Sequence, residues 1–253
     1  MRHFDLFSGI GGFALAARWA GLETVGFCEN DKFCGKVLKK HWPDVPLYED
    51  IREINGEQLK NDGITADIIT GGFPCQPFSV AGKQRGENDD RYLWPEMLRI
   101  IREMEPTWII GENVRGIVNM ALDEVLADLE SAGYSTTAFV IPACAINAPH
   151  RRDRVWIVAH PSGEGLQRGE EARNIPDKNG KNGQELWDEQ FAGRSRVEGW
   201  DKFPTVAPVC GRDDGVPDRV HRLKALGNAV VPQIPFSLFE MIKEVTNDYQ
   251  ANH

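Results

Sequence analysis

Short apolar runs and longer amphipathic stretches alternate along the first 160 residues. The runs rich in β-branched and aromatic residues predict strands. They are His3–Phe7, Glu23–Cys28, Asp67–Thr70, Thr107–Gly111, Ser135–Ile141 and Arg154–Ala159. The stretches between them place apolar residues at helical spacing. Helices are therefore predicted at Gly12–Ala20, Asp31–His41, Tyr92–Glu105 and Ala121–Ala132. This alternation predicts a doubly wound α/β fold with ligands at the carboxyl ends of its strands.

The hydrophobic pattern changes after Ala159. Only eight of the 39 residues from 161 to 199 are hydrophobic, and Asn-Gly pairs typical of turns occur twice. Such a stretch is too polar to bury a core of its own, so we expect a weakly folded insertion. Apolar residues return at Ala225–Val231 and in a predicted helix at Ile234–Val245, which we expect to pack back onto the sheet. The predicted divisions are therefore 1–160, 161–222 and 223–253.

Composition narrows the class of protein. A chain of 253 residues, 41% hydrophobic and 26% charged, is expected to form one substantial core. Its sequence contains no apolar run long enough for a membrane span, and the early Asp5 argues against an export signal. The five cysteines are scattered and form no CxxC pair, which argues against a disulfide framework and a zinc site. We expect a cytoplasmic monomer.

The net charge of −9 argues against a polyanionic partner such as nucleic acid. The acidity is concentrated in residues 1–149, which hold 14 basic and 22 acidic residues. Any nucleic acid must therefore bind one face of an otherwise anionic protein. Its affinity is then expected to be modest and to fall steeply with salt.

A glycine-rich segment, Asp5–Gly12, joins the first predicted strand to the first predicted helix. Glycines there let the backbone approach a ligand and leave amides at the helix N-terminus available to it. Glu29 ends the second strand, near the spacing at which a carboxylate meets ribose hydroxyls in nucleotide-binding folds. The pair predicts a nucleoside ligand. The alternative is a tight turn with Glu29 as a solvated strand end. Because the glycines are spaced GxGG and not GxGxxG, a dinucleotide cofactor is less favoured.

A cysteine between two prolines follows the strand Asp67–Thr70. Cys75 is expected on a stiff loop facing the ligand crevice, and thiolate is a strong nucleophile, so it is the best nucleophile candidate. Cys28 and Cys144 are expected to be small core residues. The polar, glycine-containing stretch from Gln76 to Arg91 predicts a mobile lid.

Two further segments carry candidate polar chemistry. Glu112 follows a strand, and a carboxyl group in a closed apolar site has a raised pKa suited to proton transfer. Asn113 beside it is alternatively a helix N-cap. The cationic cluster at 150–154 is suited to holding phosphate or carboxylate, or is a solvated charge run. The Gly227-Asn228 pair alone indicates only a turn.

Five segments together resemble the signature blocks of DNA (cytosine-5)-methyltransferases, in that family's order. They are Phe7–Gly12, Pro74–Gln76, Glu112–Val114, Arg152–Arg154 and Gly227–Val230. The resemblance implies a Rossmann-like, mostly parallel α/β fold and a complete catalytic domain. Two departures stand out. His150 takes the place where the family usually has glutamine, and the polar insertion at 161–222 takes the place of a full target recognition domain.

The resemblance also implies the reaction and its residues. The cofactor would be S-adenosylmethionine, with Glu29 on its ribose and Asp50 and Ile51 near its adenine. The other implied cofactor contacts are Phe7, Gly9, Gly11, Gly12, Asn30, Pro74, Asn228 and Val230. Cys75 would add to C6 of a cytosine flipped out of double-stranded DNA, as methyltransferases do. Glu112 would hold N3 and the exocyclic amine, with Arg154 at O2 and Arg152 as a further catalytic residue. The implied DNA contacts are Gln76, Ser79, Lys83, Arg85 and Arg91.

Three alternatives to this function remain at the level of sequence. The same chemistry could act on cytosine in tRNA. A non-catalytic nucleic-acid-binding module of the same fold would ordinarily have lost a block, whereas Cys75, Glu112 and the glycine-rich segment are intact. A dinucleotide oxidoreductase predicts GxGxxG and has no use for Pro74-Cys75-Gln76.

Overall fold

The computed structural model describes residues 1–74, 92–146, 148, 152–162 and 225–251, which form a seven-stranded sheet flanked by helices. Its strands are β1 (Arg2–Leu6), β2 (Glu23–Cys28), β3 (Leu47–Tyr48), β4 (Ile68–Gly71), β5 (Trp108–Val114), β6 (Tyr134–Ile141) and β7 (Arg154–Pro161). Its helices are α1 (Gly12–Trp19), α2 (Lys32–His41), α3 (Gly56–Asn61), α4 (Trp94–Met104), α5 (Leu122–Ser131) and α6 (Gln233–Ala251). Turns of 3-10 helix occupy Ile51–Glu53, Arg115–Asn119 and Ala143–Ile146, and residues 225–228 are helical.

The strand order is β3-β2-β1-β4-β5-β7-β6, and β7 runs antiparallel to both of its neighbours. The other described pairs are parallel. The reversal of β7 follows from its connection to β6, because a parallel return needs a crossover of a dozen or more residues, usually a helix. This connection comprises residues 142–153, and its described residues form only a turn of 3-10 helix. The predicted doubly wound, mostly parallel sheet is confirmed.

The core lies on both faces of the sheet, because its central strands are buried on both sides. All four residues of β4 are buried, and neighbouring side chains pack into opposite layers. Ile69 belongs to the layer that contains α3, α4 and α5, whereas Ile68 belongs to the layer of α1 and α6. The Lys243 Nζ of α6 donates to the carbonyl oxygen of Ala20 at 2.7 Å, at the end of α1. The C-terminal helix therefore covers one face of the sheet.

Most predicted elements appear in the structure with boundaries shifted by a few residues. β5 extends three residues beyond its predicted end to Val114, so Glu112 and Asn113 lie inside a strand. β3 and α3 were not predicted. The expectation that Cys144 is a core residue is wrong, because its side chain is exposed. The predicted insertion at 161–222 lies almost wholly outside the described residues. In the part of the chain that the structure describes, no helix combines the length and apolar character that a membrane crossing requires.

Candidate active site

A cleft of about 420 Å³ opens where β1, β2, β4 and β5 end and the antiparallel β7 begins. Parallel strands bring their carboxyl ends to one edge of the sheet, and that edge is where open α/β folds bind ligands. Its lining residues are Phe7, Gly9, Glu29, Asn30, Asp31, Cys34, Gly72, Phe73, Pro74, Leu93, Glu112, Asn113, Val114, Arg154, Ala225 and Asn228. The segments that the sequence singled out thus meet in one place.

The loop from β1 to α1 is turned tightly towards this cleft. Gly9 and Gly11 have φ angles of 53° and 88°, and Phe7 has a φ of 55°. Such left-handed conformations are tolerated by glycine and are costly for other residues. A Cβ on Gly11 would lie 2.7 Å from the indole ring of Trp42, so a side chain cannot fit there. Gly11 is therefore packed against Trp42, while Phe7 and Gly9 of the same loop line the cleft.

The carboxylate of Glu29 joins the loops that follow β1 and β2. Its Oε2 accepts from the backbone N–H of Gly9 and its Oε1 from that of Asp31, each at 2.7 Å. Asp31 in turn caps α2, since its Oδ1 accepts from the N–H of Phe33 at 2.9 Å. A carboxylate oxygen can accept more than one hydrogen bond. Glu29 can therefore shape the loop and still receive ligand hydroxyls in the cleft.

Glu112 and Arg154 form an ion pair at the opposite end of the cleft. Arg154 Nε lies 2.9 Å from Glu112 Oε1, and the two side chains are only 20% and 12% exposed. Burial raises the pKa of Glu112, and the charges of Arg154 and Arg152 oppose this shift. The Glu112 Oε2 would lie 3.2 Å from a Cβ placed on Gly72, so a side chain there would crowd it. The arrangement offers a carboxyl group with a raised pKa and a guanidinium to the same ligand.

Asn113 ties β5 to the segment that leads into Cys75. Its buried Nδ2 donates to the Phe73 carbonyl oxygen at 2.9 Å, and its Oδ1 accepts from the Val114 N–H at 2.9 Å. The interpretation of Asn113 as a helix N-cap is wrong, because the residue lies inside β5 and its amide fixes the Phe73-Pro74 backbone. Pro74 lines the cleft and is the last described residue before Cys75.

Arg152 contacts the segment that precedes α6. Its Nη2 donates to the carbonyl oxygens of Gly227 and Ala229, at 2.7 and 2.8 Å. Asn228 lies between these two residues and lines the cleft. The family resemblance implied that Arg152 is a further catalytic residue, whereas in the structure its guanidinium binds this backbone.

A chain of buried polar side chains lies beneath the glycine-rich loop. Thr70 Oγ1 donates to Asp5 Oδ1 at 2.7 Å, His3 Nε2 lies 2.8 Å from Thr70 Oγ1, and His3 Nδ1 lies 3.0 Å from Thr24 Oγ1. Asp5 Oδ2 is buried and has no hydrogen-bond partner among the described residues. Burial raises the pKa of Asp5 to about 8, helped by the nearby Glu29 charge and opposed by Thr70. Burial lowers the pKa of His3 to about 3. Both side chains are therefore uncharged near neutral pH.

The structure places the predicted cofactor residues in three groups. Those that line the cleft are Phe7, Gly9, Glu29, Asn30, Pro74 and Asn228. Gly11, Gly12 and Val230 pack behind it, and a Cβ on Gly12 would lie 3.0 Å from the Val230 carbonyl oxygen. Asp50 pairs with Arg52 at 2.7 Å, which lowers the pKa of Asp50, and Ile51 is buried in the core.

Other predicted residues lie outside the described residues. They are Cys75, Gln76, Ser79, Lys83, Arg85, Arg91 and His150. Of the described thiols, Cys28 is a poor nucleophile, because burial and nearby carboxylates raise its pKa to about 12. Several other residues line the cleft although the sequence did not predict them as site residues, namely Asp31, Cys34, Gly72, Phe73, Leu93, Val114 and Ala225. Asp31 carried a signal as an N-cap before a predicted helix, whereas Leu93 carried none.

Comparison with known proteins identifies the family. The chain is 34% identical over 163 residues to the Type II methyltransferase M.HhaI of Haemophilus parahaemolyticus, which covers 62% of this chain and 48% of that protein. It is 35% identical over 181 residues to M.AquIA of Picosynechococcus, covering 64% and 73% of the two chains. The chain thus spans about half the length of M.HhaI, and 36% of the relative M.HgiCII of Herpetosiphon aurantiacus.

A solved structure supports the same relationship. A putative DNA modification methyltransferase encoded in an Escherichia coli prophage matches with a TM-score of 0.56 and 25% identity, covering 70% of this chain and 49% of that one. Residues 1–196 match the family model of the C-5 cytosine-specific DNA methylases. The match covers more than half of the chain and includes four of the five signature blocks. The chain therefore belongs to the C-5 cytosine-specific DNA methylase family.

Proposed function

We propose that this chain transfers a methyl group from S-adenosylmethionine to C5 of a flipped-out cytosine in double-stranded DNA, through a covalent bond between Cys75 and C6. The observation that carries the proposal is the Glu112–Arg154 pair, held in the same cleft as the glycine-rich loop and Glu29. The end of the cleft that holds Glu112 and Arg154 suits a planar ring with ring nitrogen, amine and carbonyl groups. The other end suits a nucleoside. The names of the relatives, Type II methyltransferases, agree with this assignment.

The residues at the nucleoside end fit the proposed cofactor. Glu29 faces the cleft with oxygens that accept hydroxyl protons, and the turned backbone at Phe7 and Gly9 allows close approach. Phe73 and Leu93 add apolar surface to the same cleft. S-adenosylmethionine, when bound, supplies an electrophilic methyl group on a sulfonium. We propose that Glu29 holds its ribose and that Asn228 closes the same side.

The residues at the other end suit activation of cytosine. C5 of cytosine is a weak nucleophile, so the proposed first step is addition of the Cys75 thiolate to C6, which forms an S–C6 bond and moves the C5=C6 electron pair to C5. Glu112, whose pKa is raised by burial, donates its proton at N3, and Arg154 stabilises charge at O2. After C5 has accepted the methyl group, the C5 proton leaves to water. The electron pair of the broken C5–H bond then re-forms C5=C6, the S–C6 bond breaks with its electron pair leaving on the Cys75 thiolate, and N3 returns its proton to Glu112.

We also propose how the chain holds its substrate. The lid residues Gln76 and Ser79 and the cations Lys83, Arg85 and Arg91 would contact DNA. The polar region 161–222 would act as a reduced target reader, and the chain would act as a monomer. Because the net charge is −9, the affinity for DNA should be modest. The part of it that these cations contribute through phosphate contacts should weaken as salt is added.

Methyl transfer can be measured with labelled S-adenosylmethionine and either DNA or tRNA, followed by bisulfite sequencing. We expect label at C5 of cytosine in DNA. Label in tRNA alone would replace DNA by RNA as the substrate. Cofactor binding without transfer to any cytosine polymer would refute the enzyme and favour a binding module. Cys75→Ser should abolish the covalent complex with DNA containing 5-fluorocytosine, and a surviving complex would show that another residue is the nucleophile.

A further inference from the structure

We infer that Arg152 is a positioning residue for the cofactor: it holds the backbone around Asn228 against the cleft and links the cofactor end to the cytosine end. The inference rests on the proposed function for its ligand. It assigns to Arg152 a positioning role in place of the catalytic role that the family resemblance had implied. Its support comes from the contacts of Arg152 and of the 227–230 segment.

The contacts of Arg152 define the shape of a turn. One guanidinium nitrogen, Nη2, donates to two carbonyl oxygens, those of Gly227 and Ala229, at 2.7 and 2.8 Å. The two carbonyls lie on either side of Asn228, one in the peptide unit that precedes it and one in the peptide unit that follows Ala229, so the clamp holds the backbone on both sides of this residue. Hydrogen bonds from a charged donor are stronger than neutral ones, and the planar guanidinium fixes their directions. A lysine ammonium provides the charge without this planar geometry.

The backbone of Arg152 is turned so that this contact can be made. Its φ of 38° lies in the left-handed region, which is unfavourable for a residue other than glycine. Among the described residues, the other non-glycine residues with positive φ are Phe7 and Glu105, and Phe7 also borders the cleft. Two residues after Arg152, the side chain of Arg154 pairs with Glu112. The same short segment therefore reaches the 227–229 turn and the cytosine end.

The 227–230 segment also meets the glycine-rich loop. Val230 lies so near α1 that a Cβ on Gly12 would come within 3.0 Å of its carbonyl oxygen and 3.1 Å of its Cβ. The segment is thus held between Arg152 and the start of α1, with Asn228 directed into the cleft between them. Release of the clamp should let this wall of the cofactor site move. Glu112 and its pairing with Arg154 would remain in place.

The test compares Arg152→Met, Arg152→Lys and the control Arg115→Met. Methionine keeps an unbranched stem without the donors. Arg115 is a neighbouring arginine whose side chain is 64% exposed and which pairs with Asp153 at 3.3 Å. Calorimetry without DNA gives cofactor affinity, and hydrogen exchange without any ligand gives the protection of amides 227–231. Trapping on 5-fluorocytosine DNA at saturating cofactor measures reaction with the base.

We expect Arg152→Met to weaken cofactor binding about tenfold to a hundredfold, as for a lost hydrogen bond to a charged group. Exchange at 227–231 should accelerate, while trapping at saturating cofactor should recover to within a few-fold of the wild type. Arg152→Lys should have a cofactor affinity and an exchange rate between those of Arg152→Met and the wild type. Arg115→Met should match the wild type in both. Wild-type affinity in Arg152→Met, or a trapping defect that saturation does not repair, would overturn the inference. If the wild type neither binds the cofactor nor methylates, the proposed function fails. The exchange data then decide separately whether Arg152 clamps the turn, and unchanged exchange would overturn the clamp.

Discussion

Replacing the buried Asp5 by asparagine should change how the stability of the fold depends on pH. Asp5 is fully buried, its Oδ1 accepts from Thr70, and its Oδ2 is unpartnered among the described residues. Its carboxyl group is therefore protonated up to a pKa of about 8, compared with an ordinary value of 3.8. Asparagine has the shape of the neutral acid and cannot ionise. Asp5→Asn therefore removes the proton linkage while it keeps an oxygen for Thr70.

The sign and size of this pH dependence follow from the protonation state of Asp5 in the folded and unfolded protein. Between about pH 3.8 and 8 the folded state holds the Asp5 proton and the unfolded state has lost it. The contribution of Asp5 is therefore fully present below 3.8 and is lost as the pH rises to about 8. At about 1.4 kcal/mol for each pH unit, the loss amounts to at most about 6 kcal/mol.

His3 acts in the opposite sense. Its pKa falls from 6.5 to about 3 on folding, so its contribution is fully present above 6.5 and is lost as the pH falls to about 3. From about pH 4 to 6.5 the slopes of His3 and Asp5 cancel. From 6.5 to 8 the decline due to Asp5 remains, about 2 kcal/mol. In Asp5→Asn, the contribution of His3 alone remains. The free energy of unfolding should therefore rise by about 3 to 4 kcal/mol from about pH 4 to 6.5 and then stay level.

Urea unfolding followed by tryptophan fluorescence, repeated from about pH 4 to about pH 9, measures these curves. Subtracting the wild-type curve from that of the variant removes the contribution of groups common to both. His3→Gln should show the converse behaviour, with a continuous decline from about pH 4 to 8. Asp44→Asn, at an exposed position before β3, is the matched control and should follow the wild type. If Asp5→Asn and the wild type share the same pH dependence, the buried neutral acid does not exist.

Three other substitutions test the contacts around the cleft. Glu29→Gln leaves one oxygen where two backbone N–H groups now donate, so unfolding in urea should show a loss of about 1–3 kcal/mol and cofactor affinity should fall. Asn113→Leu leaves the Phe73 carbonyl oxygen without its side-chain donor, which should cost about 1–3 kcal/mol in the same assay and lower kcat. Glu112→Gln removes the proton donor, so single-turnover methylation should slow about 10²–10⁴-fold. Since burial raises the pKa of Glu112, the wild-type rate should fall as the pH rises through that pKa, and Glu112→Gln should lack this fall.

Elements of the fold were predictable where an apolar run or a regular apolar period extends over several residues. β2 occupies Glu23–Cys28 as predicted, because its apolar run is bounded by turn residues on both sides. β3 has two residues, too few to show any period, and its place at the sheet edge depends on pairing with β2. Cys144 lies in a sequence as apolar as that around Cys28, and only the course of the chain after β6 leaves it exposed. Burial at such positions is decided by tertiary contacts that no local pattern records.

The same limit explains what the sequence could say about the site. Signature blocks singled out Glu112 and Arg152, and the spacing from the glycine-rich segment singled out Glu29. The structure brings all three to one cleft or to its wall. Glu29 and Arg152, however, also bind the backbone of loops that come from elsewhere in the chain, as Asn113 does with Phe73. A side chain that holds a loop and one that holds a ligand require the same residue type in the same block. Sequence alone therefore cannot separate the two roles, whereas these variants can. Loss of a loop contact changes local hydrogen exchange or stability in the absence of any ligand, and loss of a direct contact changes only ligand binding or the reaction.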